Sequence, residues 1–236
     1  MKEAGHLNYL THEEIKNNLK PGVTTKQLDK IAHDFIIKNG GIPSCLGFEG
    51  FPNSICVSIN NEVVHGIPST RKLMNGDIIS IDFCVKKNGY DSDSARTYII
   101  GNVPKSTSDL VKNTKEALFV GLNEVKPGAR IGDIGHAIEE FAHAHGLSVV
   151  EELVGHGVGT NMHEEPDIPN YGSKGKGIQL KEGMVLAIEP MLNLGKKEVC
   201  MLEDDWTIVT MDGSPSAHFE HTVAVTKDGY EILTGE

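Results

Sequence analysis

The sequence contains only four cysteines, and no two of them have the CxxC spacing of a structural zinc site or a redox pair. Small secreted domains that depend on disulfides for stability are much richer in cysteine. The cysteine content therefore argues against a disulfide scaffold and favours a protein of a reducing compartment.

Long apolar runs are also absent. No stretch reaches the length of about 18 apolar residues that indicates a membrane-spanning helix. The first residues, MKEAGHLNYL, are too polar for the apolar region of a secretory signal peptide. We therefore expect a soluble, cytoplasmic protein without membrane contact.

Positive charge is scarce, since 22 Lys and Arg stand against 33 Asp and Glu, for a net charge of -11. Nucleic-acid binding depends on Lys and Arg that neutralise phosphates. Nucleic acid is therefore not expected as the main ligand. The 236 residues contain no linker or low-complexity run, so we expect one catalytic domain over residues 1–236. We also expect a monomer.

One stretch places a carboxylate in an otherwise apolar strand: GDIISIDFCV, residues 76–85, contains Asp82. An ionised acid without a partner is so costly to bury that it is neutralised, paired or bound to a metal. Asn88-Gly89 follows at once and is a strong signal for a two-residue hairpin turn. A second strand over about residues 90–100 is therefore predicted to return antiparallel to the first.

This hairpin brings a second carboxylate close to Asp82. Lys87 pairs with Tyr90, and counting back from that pair places Asp93 opposite Cys84. Because side chains alternate between the two faces of a strand, Asp82, Cys84 and Asp93 share one face. Diagonal neighbours lie roughly 7 to 8 Å apart at the backbone, near enough for two carboxylates to hold the same ion or ion pair.

The chain also repeats itself. Residues 182–192 align without a gap on residues 75–85, and residues 126–146 align on residues 20–40, with almost the same offset. Two such matches with nearly one offset indicate an internal duplication. The predicted fold class is α+β, with two pseudo-symmetric halves, about 1–105 and 106–236, each with helices packed on an antiparallel sheet.

The duplication also relates the acids. Glu189 aligns with Asp82, and Glu220 in the stretch HFEHTVAV is a plausible counterpart of Asp93. The four carboxylates are then expected to converge about a pseudo-twofold axis. The alternative for each acid is a structural salt bridge, but the apolar runs that hold Asp82 and Glu189 contain no Arg or Lys.

Helix signals frame these strands. Residues 1–19 are predicted helical up to a Lys-Pro-Gly stop, and Thr24 or Thr25 caps a second helix that ends at Gly40. A third helix over about residues 106–125 has Thr107 or Ser108 as its expected cap. A fourth helix is predicted over residues 133–145.

A histidine completes the set. His156 stands between two glycines in VGHGVGTNMHEEP, which leaves its imidazole accessible. Taken alone, it also fits a hydrogen-bonded interior histidine. Together with four carboxylates, it suits one or two borderline divalent ions such as Mn, Fe, Co or Zn better than a thiolate-bound structural zinc.

A family resemblance spans essentially the whole chain. The segments SCLGFEGFPNSIC, VVHGIP, SIDFCVKKNGYDSD, GHGVGTNMHEEP, GMVLAIEPM and FEHTVAV together resemble type I methionine aminopeptidases. The resemblance implies the pita-bread fold and removal of the initiator methionine from nascent polypeptides, with transient ribosome contact. The chain has no zinc-finger extension or Pro-rich linker before the core and so resembles the minimal bacterial form.

The resemblance also implies the roles of site residues. Two divalent ions (Co, Mn, Fe or Zn) are implied, with Asp93 and Glu220 as bridging ligands, Asp82 on one ion, and His156 with Glu189 on the other. With such a centre, Glu189 is the candidate proton acceptor from water.

Two further histidines, His65 and His163, match the family's substrate-contacting, non-ligand histidines. His163 is the candidate donor to the developing oxyanion. The alternative for both is a surface histidine without a role in the site.

The same resemblance implies a methionine pocket. The matching positions are Cys45, Phe48, Phe51, Cys56, Met162 and Trp206. Sulfur and aromatic groups suit a thioether side chain. Without the resemblance these would be ordinary core residues. Phe48 and Phe51 stand where tyrosine is frequent, and Met162 where a larger aromatic residue occurs, so pocket size is not fixed by the resemblance.

Two other functions compete. A prolidase or Xaa-Pro aminopeptidase would use the same ligands, but such relatives usually carry a large N-terminal domain. A catalytically inactive pita-bread binding module would be expected to lose ligands, whereas all five are present.

Overall fold

The computed structural model of the chain describes residues 1–235; Glu236, the last residue of the second predicted half, lies outside the described residues. Four α-helices and one short 3-10 helix are present in that range. They are α1 (Lys2–Lys16), α2 (Thr25–Lys38), the 3-10 helix (Phe48–Gly50), α3 (Lys105–Leu122) and α4 (Ile131–Ala144). Each α-helix overlaps a predicted one. Within residues 1–235, no helix is long and apolar enough to cross a bilayer.

The N-termini of α2 and α3 test the capping residues predicted from the sequence. Thr24 caps α2, because its side chain accepts a hydrogen bond from the Gln27 backbone N–H and the Gln27 side chain returns one. The expected cap of α3 was wrong. That helix begins directly after Pro104, without a side-chain cap, and Thr107 lies buried inside its first turn. The extended conformation of Pro104 allows the helix to start earlier.

The strands are short and numerous. They are β1 (Ile42–Pro43), β2 (Cys56–Ile59), β3 (Glu62–Val64), β4 (Ile78–Lys87), β5 (Tyr90–Ile99), β6 (Ser148–Val149), β7 (Gly155–Gly157), β8 (Glu164–Ile168), β9 (Val185–Ile188), β10 (Met191–Asn193), β11 (Val199–Met201), β12 (Ile208–Thr210), β13 (Ser216–His218), β14 (His221–Val225) and β15 (Tyr230–Ile232).

These strands form antiparallel sheets. One sheet has the order β1-β4-β2 with β5 also paired to β4, and another has the order β15-β14-β9-β7-β8. Two further sheets have three strands each, in the orders β13-β10-β6 and β11-β12-β3. The second of these pairs β3 of the first half with β12 of the second.

The predicted hairpin is confirmed in its register. Lys87 pairs with Tyr90, and Cys84 lies opposite Asp93. Asn88 and Gly89 have φ of 52° and 84°, both in the left-handed region. A two-residue turn of this type requires positive φ at both positions, which is why the Asn-Gly pair fixes the register.

Helices cover one side of each large sheet. Leu7 and Ile15 of α1 and Leu28 and Ile36 of α2 pack in one apolar cluster with Phe83. In a second apolar cluster, α3 and α4 pack against β9 and β14. The predicted boundary between the two halves lies at the start of α3. The predicted α+β class is confirmed.

The two large sheets also meet at the predicted ligands, through backbone groups and the Thr222 hydroxyl. The Asp93 N–H donates to Thr222 Oγ1 at 2.9 Å, and the Thr222 hydroxyl donates to the Asp93 carbonyl at 2.8 Å. The Glu220 N–H donates to the Ala95 carbonyl at 2.9 Å. These bonds place β5 and the start of β14 side by side, with Asp93 and Glu220 in the same buried region.

Candidate active site

The structure brings the five predicted metal ligands together. Three groups of side chains have ligand atoms within 4.8 Å of one another. They are Asp82 with Asp93 and Glu220, His156 with Glu189 and Glu220, and Asp93 with His156 and His163. Asp93, Glu220 and His156 each belong to two groups, so these three residues link the groups into one cluster. The third group includes His163, which the sequence places among the non-ligands.

The imidazole of His156 points its free nitrogen at this cluster. Its Nδ1 lies 2.8 Å from the Gly157 carbonyl, which can only accept, so Nδ1 carries the proton. Nε2 therefore presents a lone pair, 3.6 Å from Glu189 Oε1 and 3.8 Å from Asp93 Oδ2. A backbone carbonyl that fixes the tautomer in this way is typical of metal-ligating histidines.

The donor set fits divalent cations. Among the described residues, Asp93 Oδ1 and Glu220 Oε1 are buried oxygens without a hydrogen-bond partner. Buried polar atoms of this kind need an explanation, and an ion is one. Four carboxylates and one imidazole are donors suited to first-row divalent metals.

Burial and like charge strongly perturb these acids. Burial, then the neighbouring Asp93 carboxylate, raises the pKa of Asp82 and of Glu220 well above the usual range. Burial raises the pKa of Asp93 and of Glu189 to about 8. It also lowers the pKa of His156 to about 4. The folded protein therefore resists full ionisation of the cluster, and positive charge bound there would relieve the repulsion.

A cavity of about 200 Å³ opens beside this cluster. All six residues predicted to form the methionine pocket line it: Cys45, Phe48, Phe51, Cys56, Met162 and Trp206. The rings of Phe51 and Trp206 meet edge to face, with centroids 5.0 Å apart. His65, His163, Asp82 and Asp93 line the same cavity.

The sheet explains why the apolar cavity and the acids adjoin. Cys56 of β2 lies directly opposite Asp82 of β4, and Cys84 of β4 lies directly opposite Asp93 of β5. Since paired residues and alternate residues share a face, all four side chains project from one face of the sheet. The thiols of Cys56 and Cys84, which line the cavity, therefore lie next to the carboxylates of Asp82 and Asp93.

The two substrate histidines predicted from the sequence lie at the cavity wall. The His163 ring is 4.3 Å from the His156 ring and 5.3 Å from the Phe48 ring, centroid to centroid. His65 lies 6.4 Å from Trp206. Burial lowers the pKa of His65 to about 4 and lowers that of His163, so both imidazoles are neutral at pH 7.

Sequence reasoning missed two residues of this region. Glu49 lines the apolar cavity from the 3-10 helix. His218 is 1% exposed, with Nε2 3.5 Å from Glu189 Oε2. His218 stands two residues before Glu220, and the alternation of an extended chain is a signal that it faces the same way. No comparable signal marks Glu49.

The chain matches the family model of metallopeptidase family M24 over residues 1–227, and it belongs to that family. Methionine aminopeptidase 1 of Bacillus subtilis is 55% identical over 99% of this chain and 94% of that protein. The methionine aminopeptidase of Escherichia coli is 44% identical over 99% of this chain and 89% of that protein. Within the M24 family, the chain is thus one of the methionine aminopeptidases.

Solved structures agree with this assignment. The crystal structure of methionine aminopeptidase from Rickettsia prowazekii superposes with a TM-score of 0.98 at 45% identity, covering 99% of this chain and 95% of that one. Prolidase from Pyrococcus furiosus gives a TM-score of 0.78 at 21% identity, with 62% of that chain covered. The prolidase likeness shows a shared fold. The predicted family resemblance and pita-bread class are confirmed.

Proposed function

We propose that this protein is a divalent-metal-dependent aminopeptidase that removes the N-terminal methionine from polypeptides. The observation that carries the proposal is the shared cavity: the residues suited to a methionine side chain and the carboxylates Asp82 and Asp93 line one space of about 200 Å³. Membership of the M24 family and near-full-length similarity to methionine aminopeptidases support it.

The ligands in this proposal are Asp82, Asp93, His156, Glu189 and Glu220. Two ions are proposed because Asp82 and His156 belong to separate ligand groups that have Glu220 in common. Four ionised carboxylates also call for about four positive charges. When bound, such cations act as Lewis acids and lower the pKa of water. Co, Mn, Fe and Zn all suit this donor set.

The side chains around the ions supply proton transfer. Glu189 is 13% exposed, at the border between the buried acids and the cavity space, and its carboxylate accepts the proton of the attacking water. The same carboxylate then passes the proton to the leaving amine. A second cavity, the acidic cavity, adjoins the apolar one and is lined by Asp82, Asp93, Glu189 and Glu220. The neutral His163 imidazole lines both cavities and donates to the oxyanion that develops on the scissile carbonyl.

The apolar cavity sets the first residue of the substrate. Buried thiols and aromatic rings contact a thioether side chain favourably, and the cavity has room for one side chain of this size. The free amine of the substrate then lies beside Asp82 and Asp93. His65 bounds the space for the second residue, which we propose must be small. The proposed substrates are nascent chains in the cytoplasm, met by a monomer in transient contact with the ribosome.

Peptide hydrolysis by the metal-free protein tests the proposal. The protein is titrated separately with Fe(II), Mn(II), Co(II) and Zn(II) and assayed on Met-Ala-Ser and Ala-Pro peptides. We expect metal-dependent release of methionine and no cleavage of the Ala-Pro peptide. Preferential cleavage of Ala-Pro would instead indicate a prolidase, and no cleavage with any metal would indicate a binding module.

A further inference from the structure

His218 is a buried histidine without a partner in the described structure. Its side chain is 1% exposed, and neither Nδ1 nor Nε2 makes a hydrogen bond. Buried polar side chains are nearly always hydrogen-bonded, so this imidazole requires an explanation. Glu189 Oε2, 3.5 Å from Nε2, is a polar atom that could serve as its partner.

Backbone hydrogen bonds hold His218 next to Glu189. Its N–H donates to Thr97 Oγ1 at 2.9 Å, and its carbonyl accepts from the same hydroxyl at 2.9 Å. His218 also lies opposite Met191 in the pairing of β13 with β10. The ring is therefore carried by paired strands and not by a loop.

The carboxylate of Glu189 lies between two histidines. Its Oε1 is 3.6 Å from His156 Nε2, and its Oε2 is 3.5 Å from His218 Nε2. His156 cannot donate to Oε1, because its proton is on Nδ1, bonded to the Gly157 carbonyl. No such bond fixes the tautomer of His218, so its Nε2 is free to carry a proton.

We infer that His218 is a positioning residue whose Nε2–H donates a hydrogen bond to Glu189 Oε2. This bond orients the other oxygen, Oε1, toward His156 and the other proposed metal ligands. The inference rests on the proposed function, in which Glu189 binds a cation and accepts a proton. His218 itself belongs to none of the metal-ligand groups found among residues 1–235. Its role is to hold the Glu189 carboxylate in one orientation, both when it binds the cation and when it accepts the proton. Removing the hydrogen-bond partner of a metal-ligating side chain typically lowers metal affinity or activity about 10- to 100-fold.

Two variants separate a donor from a space-filling ring. The amide of His218→Gln can donate to Glu189, whereas His218→Leu fills similar space without a donor. We expect His218→Leu to lower Mn(II) affinity, measured by titration calorimetry, and kcat on Met-Ala-Ser by about 10- to 100-fold each, with KM little changed. His218→Gln should retain most of both.

His33→Leu is the matched control. His33 is a partly buried histidine of α2 that bonds Ser54 Oγ at 2.8 Å, and it lines neither cavity of the site. Its removal should affect the melting temperature but not Mn(II) affinity.

A direct measurement does not depend on how the leucine variant folds. In the Zn(II)-loaded wild-type protein with ¹⁵N-labelled histidine, the His218 ring should show its proton on Nε2, with the signal assigned by its loss in His218→Gln. A proton on Nδ1 would overturn the inference. Unchanged affinity and kcat in His218→Leu, or equal damage in His218→Gln, would also overturn it. A wild-type protein that binds no Mn(II) would overturn the proposed function as well.

Discussion

Cys84 and Asp93 face each other across the β4–β5 hairpin, with the Cys84 thiol donating to Asp93 Oδ2 over 2.6 Å. The register that pairs them is set by the turn at Asn88 and Gly89, at the far end of the hairpin. A slip of one residue would move Asp93 to the opposite face of the sheet. A local turn thus determines whether the site has its central carboxylate.

The contact suggests a first test with Cys84→Val and Cys84→Ser. Valine removes the donor that orients Asp93, so we expect Mn(II) affinity to fall about tenfold, near the lower limit for a partner of a ligand, because a thiol is a weak donor. Serine keeps a donor and should stay near the wild-type affinity. Titration calorimetry on both variants decides it. Equal affinities for all three proteins would show that the thiol does not position Asp93.

Local signals account for much of the fold. The Asn-Gly turn predicted the complete β4–β5 register, and Thr24 predicted the start of α2, because both depend on residues within a few positions of each other. Asp82 was found because a carboxylate in an apolar strand is costly. The duplication then indicated Glu189, which lies in the same cluster.

Contacts between distant parts of the chain were not predictable in the same way. Thr222 bonds the backbone of Asp93 across 129 positions, and β12 pairs with β3. Neither pairing leaves a pattern in the sequence, because each depends on how the two halves pack. Glu49 was missed for the same reason, because its place in the cavity depends on neighbours that are remote in sequence. His218 has a local signal, its alternation with Glu220, but its contact with Glu189 is again one between distant positions.

The predicted ligands can be tested through stability as well as activity. Asp93→Asn and His156→Ala should each lower metal affinity and activity together, because each removes a ligand from a shared centre. Metal binds the folded state, so saturating Mn(II) should raise the melting temperature of the chelator-treated wild-type protein and raise it less in the variants.

Asp109→Asn is the control for these variants, since Asp109 is a half-buried acid of α3 paired with Lys105, remote in the chain from the ligands. It should respond to metal like the wild type. Identical melting temperatures of the wild-type protein with and without metal would count heavily against a metal site.

The perturbed acids predict an unusual pH dependence for the metal-free protein. The folded-state pKa of Asp93 and of Glu189 is about 8, against about 4 in an unfolded chain. The fold therefore binds these protons more tightly, and the resulting stabilisation is lost as pH rises toward 8. The lowered pKa values of His65 and His156 act in the opposite direction, but only below about pH 6.5.

The window for this test is pH 6.5 to 8, above the range in which these histidines act. Burial raises the pKa of Asp82 and of Glu220 as well, so both act in the same direction as the other two acids. Hydrogen bonds from Cys56 and Cys84 lower the pKa of the Cys45 thiol well below its usual range, so this one group acts against the four acids. In this window the melting temperature of the metal-free protein should fall as pH rises, and saturating Mn(II) should abolish the fall. A metal-free melting temperature that rises through this window would mean that the acids are ionised in the fold without a cation.

His163 could serve either as a metal ligand or as a hydrogen-bond donor to the oxyanion, and the two roles predict different results. One of its ring nitrogens lies in one of the three candidate ligand groups, with Asp93 and His156. As a donor to the oxyanion, it should be dispensable for metal binding, so His163→Ala should keep metal content near wild type while turnover falls roughly 10- to 1000-fold. Metal analysis of the purified variant beside its kinetics distinguishes the two roles. Parallel loss of metal and turnover would make His163 a ligand.

Substrate specificity gives the last prediction: methionine should be released only when the following residue is small, such as Gly, Ala, Ser, Thr or Pro. With methionine in the apolar cavity and its amine beside Asp82 and Asp93, the second side chain faces the wall near His65. A large side chain there would clash with that wall. A change of about one methylene in an apolar pocket is worth only about 1 to 3 kcal/mol, so norleucine should be accepted at the first position. Lysine at the first position should be rejected, because its ammonium group would lose water next to Phe51, Met162 and Trp206, which are apolar. A peptide panel that varies both positions measures this, and equal cleavage of Met-Ala, Met-Trp and Lys-Ala substrates would leave only a broad aminopeptidase.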